Sequence, residues 1–515
     1  MASLDTVISE AQPSPSNSSK FRHQMGHISR QSAVFFAGTI FTAAAGYLFK
    51  VYLARVLGAE ALGIYALGMT IVGFLGVLNG LGLPQAAVRF VSTYFATGRT
   101  ELLGAFLVRG SLLLMLSNLI AGGALLLIGP WISIRFYHAP ALKMYLWLFV
   151  LIMLLGSLNT FFGQVLAGYK DVARRTVITN FIGSPLMMML TLGLIGLGMG
   201  LWGYVFAQVV SGVVVLMLSV AMVRRLTPKA ARSFSAGHPL EKQVISFCAA
   251  VFGMEFLSFL MSQTDKILIG FYLGARQVGI YAVAAALVAF VPIILQSVNQ
   301  IFSPTIADLH ARGEHDLLGR MFQTLTKWIL GLTFPLAAVM MMFAPALMRI
   351  FGPDFEGGWP ILVIGTAGQL VNCAVGSVGF LLLMSGHQKR LIRIQAFMAV
   401  LMLMLNVLLI PRWGIVGAAV AAAFTNIVAN GWYLTEVRRS LNLSPYNRSF
   451  LRLTIPLIGM LMVLLLLRVR ISVFQPEWAV IAMGLALAYL TFIGFALIFG
   501  LDADDQRRSL RCIAA

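Results

Sequence analysis

The sequence predicts an all-α polytopic membrane protein: about fourteen transmembrane helices, arranged as two pseudo-twofold-related six-helix lobes plus a C-terminal helix pair. Three observations predict it. Of 515 residues, 59% are hydrophobic and 11% charged, against roughly 45–50% and about 25% in an ordinary soluble domain. Apolar runs of about 20 residues, enough to cross a bilayer, recur to the end of the chain. A ten-residue motif also occurs twice, 216 residues apart. Within a bilayer only helices and closed barrels satisfy their own backbone, and these runs are too long and continuous for barrel strands.

The elements follow in order. Residues 1–31 are rich in Ser, Pro, Asn and Gln without an apolar core, and read as a disordered cytoplasmic tail rather than a signal peptide. The first lobe, 32–225, carries expected helices at Ser32–Leu57, Ala61–Leu83, Leu102–Ile128, Leu142–Leu166, Thr176–Leu197 and Leu201–Val223. A basic cytoplasmic linker occupies 226–243. The second lobe, 244–440, carries Val244–Leu273, Val278–Phe302, Leu325–Leu347, Ile361–Met384, Leu391–Ile410 and Ile415–Val437. Residues 441–515 supply Leu451–Leu467, Trp478–Phe499 and a second cytoplasmic tail.

Charge orients the spans. The net charge is +19, which in a soluble chain would suggest nucleic acid; here it reflects basic loops beside anionic lipid. With the N-terminus cytoplasmic, 26 of the 37 Lys and Arg residues fall on that side, so both termini are expected there, in agreement with an even span count. The three cysteines, Cys248, Cys373 and Cys512, are far apart, and neither a disulfide framework nor a metal-ligand cluster can be read from them. No cofactor is implied.

The internal repeat organises the rest. Leu57-Gly-Ala-Glu-Ala-Leu-Gly-Ile-Tyr-Ala66 matches Leu273-Gly-Ala-Arg-Gln-Val-Gly-Ile-Tyr-Ala282 at seven of ten positions. Gly200-Leu-Trp-Gly203 echoes Gly414-Ile-Val-Gly417 at an offset of 214. Both copies begin after an odd span and end after an even one, so they cross the membrane in one sense, about an axis along its normal. Parallel lobes place a binding region at their interface and allow alternating access. No outward loop exceeds roughly fifteen residues or carries a nucleophile or acid–base cluster, which argues against an enzyme.

Ionisable residues within spans usually face a protein cavity. Lys50 and Lys266 each lie eight residues before the repeat glycine. Thr39, Thr42, Gly46 and Lys50 share one helical face, as do Glu255, Ser258, Ser262 and Asp265 or Lys266. The lysines are candidates for attracting an anionic group such as a diphosphate; the competing role is snorkelling to the headgroups. Glu255 and Asp265 are candidates for ion or proton coupling, Asp265 otherwise being a local ion pair with Lys266. Arg109 and Arg89 are phosphate or interfacial candidates. Asn79, Gln296, Asn299, Gln369 and Asn372 could bond sugar hydroxyls or act as interhelical glue.

The segment Ser262-Gln-Thr-Asp-Lys-Ile-Leu-Ile-Gly-Phe-Tyr-Leu-Gly274, followed by Val278-Gly-Ile-Tyr281, resembles the seventh-helix signature of bacterial polysaccharide-unit (Wzx-type) flippases of the multidrug/oligosaccharidyl-lipid/polysaccharide exporter superfamily. The resemblance covers about Ser32 to Arg439. It implies a two-lobed transporter of the inner membrane that moves an undecaprenyl-diphosphate-linked oligosaccharide (an O-antigen, capsule or exopolysaccharide unit). Its partners would be that glycan, membrane lipids and the polysaccharide polymerase machinery, with a monomer as the transport unit and no nucleic acid. Two other readings come from the same superfamily: a cation- or proton-coupled multidrug antiporter, and a lipid II flippase. Against the second, Phe49-Lys50 stands where the lipid II carrier has a cavity Arg-Asp pair, and Phe74 and Leu75 fall where it has basic residues.

Overall fold

A computed structural model describes residues 15–232, 241–447, 450, 452–471 and 477–500. All regular structure among them is helical. Ten of the described helices are long and apolar enough to cross a membrane, and the bent pair Ala275–Val288 and Ile293–Ala311, at 51°, makes an eleventh. Two of the ten are broken internally by a glycine, Pro15–Gly80 at Gly58 and Gln388–Leu441 at Gly414. With the shorter apolar helix Thr454–Leu467, these segments are consistent with the fourteen expected.

The breaks themselves repeat. Gly58 has φ 77 and ψ 176, and Gly274, 216 residues on, has φ 80 and ψ 179. Residues with positive φ also pair as Gly98 with Gly313, His138 with Gly352, Lys170 with Gly386 and Gly200 with Gly414. All these offsets lie between 214 and 216. A short 3₁₀ helix opened by proline follows the second of these pairs, at Pro140–Tyr145 and Pro353–Gly358. Positive φ is costly for residues bearing a Cβ, so this shared set of breaks is a structural record of duplication.

The duplicated motif packs on itself. A Cβ built on Gly63 would lie 1.7 Å from the Ala275 carbonyl oxygen, and one on Gly279 would lie 2.0 Å from that of Ala59. Positions 63 and 279, like 59 and 275, are 216 apart, so the contact is reciprocal, as a twofold relation between the copies requires. Glycine is needed at both because backbone meets backbone.

Several elements differ from expectation. The first helix begins at Pro15, inside the segment expected as a disordered tail; residues 1–14 lie outside the described residues. The expected single helix Val278–Phe302 is bent, because Pro292 lacks an amide donor and opens the second rod. The expected Ile361–Met384 is divided into Trp359–Val375 and Val378–Met384 at Gly376, where a Cβ would lie 2.3 Å from Thr326 Oγ1. The helix Val172–Gly196 contains a π segment, Val177–Gly183.

The chain forms two compact units: Met1–Lys50, Leu78–Gly123 and Val150–Phe252 in the first, and Val51–Val77, Ala124–Phe149 and Gly253–Ala515 in the second. The division does not follow the duplication, since the second unit takes part of the first copy. The first unit is built around Phe90, Phe106, Phe161 and Leu103, all buried. In the second, the C-terminal helices bury Leu457, Met460, Leu464, Val480, Ala488 and Phe492 against Leu330, Val339 and Phe343. These helices brace His315–Met342, of whose apolar stretch 61% is buried, against 28% for Thr100–Phe136, the span at the corresponding place in the first copy.

Candidate polar cavity

A cavity of about 500 Å³ lies within the second unit. Three helices supply most of its polar wall at helical spacing, which keeps each set on one face. Gln296 and Asn299 come from Ile293–Ala311, and Gln369 and Asn372 from Trp359–Val375. Ser377 comes from the break that follows, and Thr425, Asn426, Asn430 and Tyr433 from Gln388–Leu441. Met261, Leu295, Phe380 and Met402 add apolar surface. Among the described residues, the wall carries no Asp, Glu, Lys or Arg.

Part of this wall is fixed by its own hydrogen bonds. Asn426 Nδ2 donates to the Gly368 carbonyl at 3.2 Å, and Asn430 Nδ2 to Asn426 Oδ1 at 2.8 Å. Asn372 Nδ2 donates to Gln369 Oε1 at 3.1 Å. Among the described residues, two buried lining atoms have no hydrogen-bond partner, Asn299 Oδ1 and Thr425 Oγ1. A buried polar atom left unmatched costs about 1–3 kcal/mol. The cavity therefore holds unspent, uncharged hydrogen-bonding capacity, which suits hydroxyl groups. Sequence reading found Gln296, Asn299, Gln369 and Asn372 but missed Asn426 and Asn430, although their spacing of four marks one helix face.

The other candidates divide differently. Asn79 is buried and bonds between helices through its amide nitrogen: Nδ2 donates to Asn118 Oδ1 at 2.8 Å, and Asn118 Nδ2 donates to Ser157 Oγ at 3.1 Å, while Asn79 Oδ1 has no partner among the described residues. Arg89 is exposed, with its guanidinium 4.9 Å from the Phe247 ring centre, a cation–π contact. Arg109 and Glu255 are half-buried on Thr100–Trp131 and Lys242–Leu273. Lys50 is exposed, and a Cβ on Gly46, one turn earlier, would meet nothing within 4 Å.

Asp265 and Lys266 do not form the simple pair their adjacency suggests. Lys266 Nζ donates to Gln263 Oε1 at 2.9 Å. The buried Asp265 carboxylate accepts from Tyr281 OH at 2.6 Å and from the Lys266 backbone N–H at 2.8 Å. Tyr281 belongs to the repeated motif, and so the signature helix Lys242–Leu273 is tied to Ala275–Val288 across the Gly274 break.

Comparison with known proteins agrees with this architecture. The chain is 22% identical over 416 residues to an uncharacterised membrane protein of Methanocaldococcus jannaschii, covering 77% of this chain and 81% of that one. It is 26% identical over 182 residues to the probable low-salt glycan biosynthesis flippase Agl15 of Haloferax volcanii, covering 35% of this chain and 39% of the relative. In structure it resembles the lipid II flippase MurJ in an inward closed conformation, with a TM-score of 0.68 at 14% identity over 90% of this chain and 98% of that one. That likeness concerns the fold. Residues 52–355, more than half of the chain, match a family described as polysaccharide biosynthesis protein, and the chain belongs to that family.

Proposed function

We propose that the protein is a flippase for an undecaprenyl-diphosphate-linked oligosaccharide, carrying an O-antigen, capsule or exopolysaccharide unit across the bacterial inner membrane by alternating access of lobes 32–225 and 244–440, with both termini cytoplasmic. The observation that carries this reading is the uncharged, amide-rich cavity inside an otherwise apolar helical chain. Glycan hydroxyls both donate and accept, as do Asn and Gln side chains, and an apolar or cationic cargo would leave those amides unmatched. Membership of the polysaccharide biosynthesis family supports the same class of cargo. The prenyl chain stays in lipid, so the protein needs to shelter only the polar end.

Reconstituted vesicles containing a fluorescent lipid-linked oligosaccharide test the reading. Wild-type protein is expected to expose the glycan to an external quencher or glycosidase at a rate well above protein-free vesicles. Asn299→Leu with Asn426→Leu is expected to reduce that rate about tenfold or more, since each removes a polar partner from a buried site. Equal rates for vesicles with and without protein would refute it.

A further inference from the structure

The helix Val172–Thr176 starts at Asp171, whose Oδ1 accepts from the Arg174 backbone N–H at 3.2 Å. Its Oδ2 pairs with Arg174 Nη1 at 2.8 Å. The nearest carboxylate is therefore committed to Arg174, not to its neighbour Arg175. One residue on, the helix has turned about 100°, and Arg175 runs inward against Leu146–Gly168. Its Nε lies 3.3 Å from where a Cβ on Gly163 would sit, so the guanidinium occupies room left by a missing side chain. Its Nη1 donates to Gln164 Oε1 at 3.2 Å.

Arg175 is half-buried, and among the described residues no carboxylate pairs with it. A guanidinium offers five N–H donors, and among the described residues their one hydrogen-bond partner is the Gln164 oxygen. Because that oxygen is occupied, Gln164 presents its amide NH₂ as donor. The result is a fixed cluster of donors bearing one positive charge, the arrangement that receives an oxyanion bidentately.

The duplication supplies an internal comparison. The helix-starting residues Asp171 and His387 are 216 apart, as are the positive-φ residues Lys170 and Gly386 before them. At the same offset Gly163 corresponds to Gly379, Gln164 to Phe380 and Arg175 to Leu391. The second copy forms the same turn with an apolar pair in these places. The fold of the turn does not require the polar pair, and a partly desolvated guanidinium is costly beside a leucine.

We propose that Arg175 and Gln164 form a binding site for an oxyanion, phosphate or carboxylate, of the transported molecule. The inference rests on the flippase reading: the anion is either the diphosphate joining lipid to glycan or a uronate within the glycan. Full-length protein in nanodiscs of zwitterionic lipid is titrated with inorganic pyrophosphate, undecaprenyl diphosphate and glucuronate. Wild type is expected to bind at least one of them. Arg175→Leu, the residue the second copy uses, is expected to weaken that binding about tenfold or more, with Arg175→Lys in between because it keeps the charge and loses the fork. Dependence on Arg175 for both diphosphates assigns the lipid linkage, and dependence for glucuronate alone assigns the glycan.

Unfolding midpoints separate loss of the site from loss of the fold; if Arg175→Leu is unstable, Gln164→Phe is read instead, with a several-fold weakening expected. Unchanged affinity in the stable variant for every anion bound, or no binding of any of the three by folded wild type, overturns the proposal. Arg175-dependent binding by a protein that moves no lipid-linked glycan would overturn the flippase reading and leave the anion site standing.

Discussion

Replacing Gly63 or Gly279 by alanine tests the reciprocal backbone contact most directly. At fixed backbone the new methyl carbon on Gly63 would sit 1.7 Å from the Ala275 oxygen, and that on Gly279 2.0 Å from the Ala59 oxygen. Ordinary contact needs more than 3 Å, so the two segments must part by roughly 1.5 Å, because a carbonyl in a helix cannot swing aside as a side chain can. Overpacking of this kind costs about 1–3 kcal/mol. Alanine is also the better helix former by about 1 kcal/mol, and that gain offsets part of the cost. Because the clash is with backbone, the cost lies near the top of that range, and each single variant is expected to be destabilised by about 2 kcal/mol, read as a lower unfolding midpoint of the purified protein. The double variant is expected to lose less than the sum of the singles, since a gap opened for one methyl accommodates much of the other. Gly46→Ala and Gly156→Ala, whose new carbons would meet nothing within 4 Å, serve as controls and are expected to be neutral or stabilising. Singles that behave like these controls, or strictly additive losses in the double variant, would refute the reasoning.

Lys50→Ala and Lys266→Ala are each expected to reduce glycan export several-fold with normal amounts of protein in the membrane; normal export by the double variant would remove both amines from the mechanism. Tyr281→Phe takes away the 2.6 Å hydrogen bond to the buried Asp265 carboxylate and is expected to destabilise by about 1–3 kcal/mol in thermal unfolding. Asp265→Asn, which keeps an acceptor for the phenol, should cost less, and the reverse order would contradict the assigned role. Arg276→Ala breaks a 3.1 Å pair with Asp354, but both side chains are about half exposed, so a change below about 1 kcal/mol is expected; a larger loss would show the pair to be more than a surface contact.

The fold class was legible because bilayer length and backbone satisfaction act on runs of sequence without reference to partners. The duplication was legible where side chains repeat, at Gly58 and Gly274. It was hidden where only conformation repeats, as at His138 and Gly352, which share a positive φ but not a residue type. Ala96-Thr-Gly98 and Ala311-Arg-Gly313, each followed three residues later by an acid and two leucines, were available in the sequence and went unread. The site was harder to read because its chemistry depends on what lies across from each residue. Asn79 and Asn299 are the same residue type on apolar helices, yet one meets Asn118 and the other lines a cavity. Arg174 and Arg175 are neighbours on one short basic helix, yet one pairs with Asp171 while the other lies in the gap left by Gly163 on another helix.

Among the described residues, the two terminal helices pack against His315–Met342 of the second copy. Burial of 61% along His315–Met342, beside 28% along Thr100–Phe136, gives the two copies unequal tolerance to sequence drift. Along the first span, Leu112, Leu116, Leu119 and Leu127 stand exposed, so one greasy residue can exchange for another there with little loss. At the end of the second, Phe343 touches the position of a Cβ on Gly484 at 3.0 Å, and volume itself becomes a constraint. A segment transplanted from the first copy into the second would arrive with a surface shaped for fluid hydrocarbon and meet the packed side chains of the terminal helices.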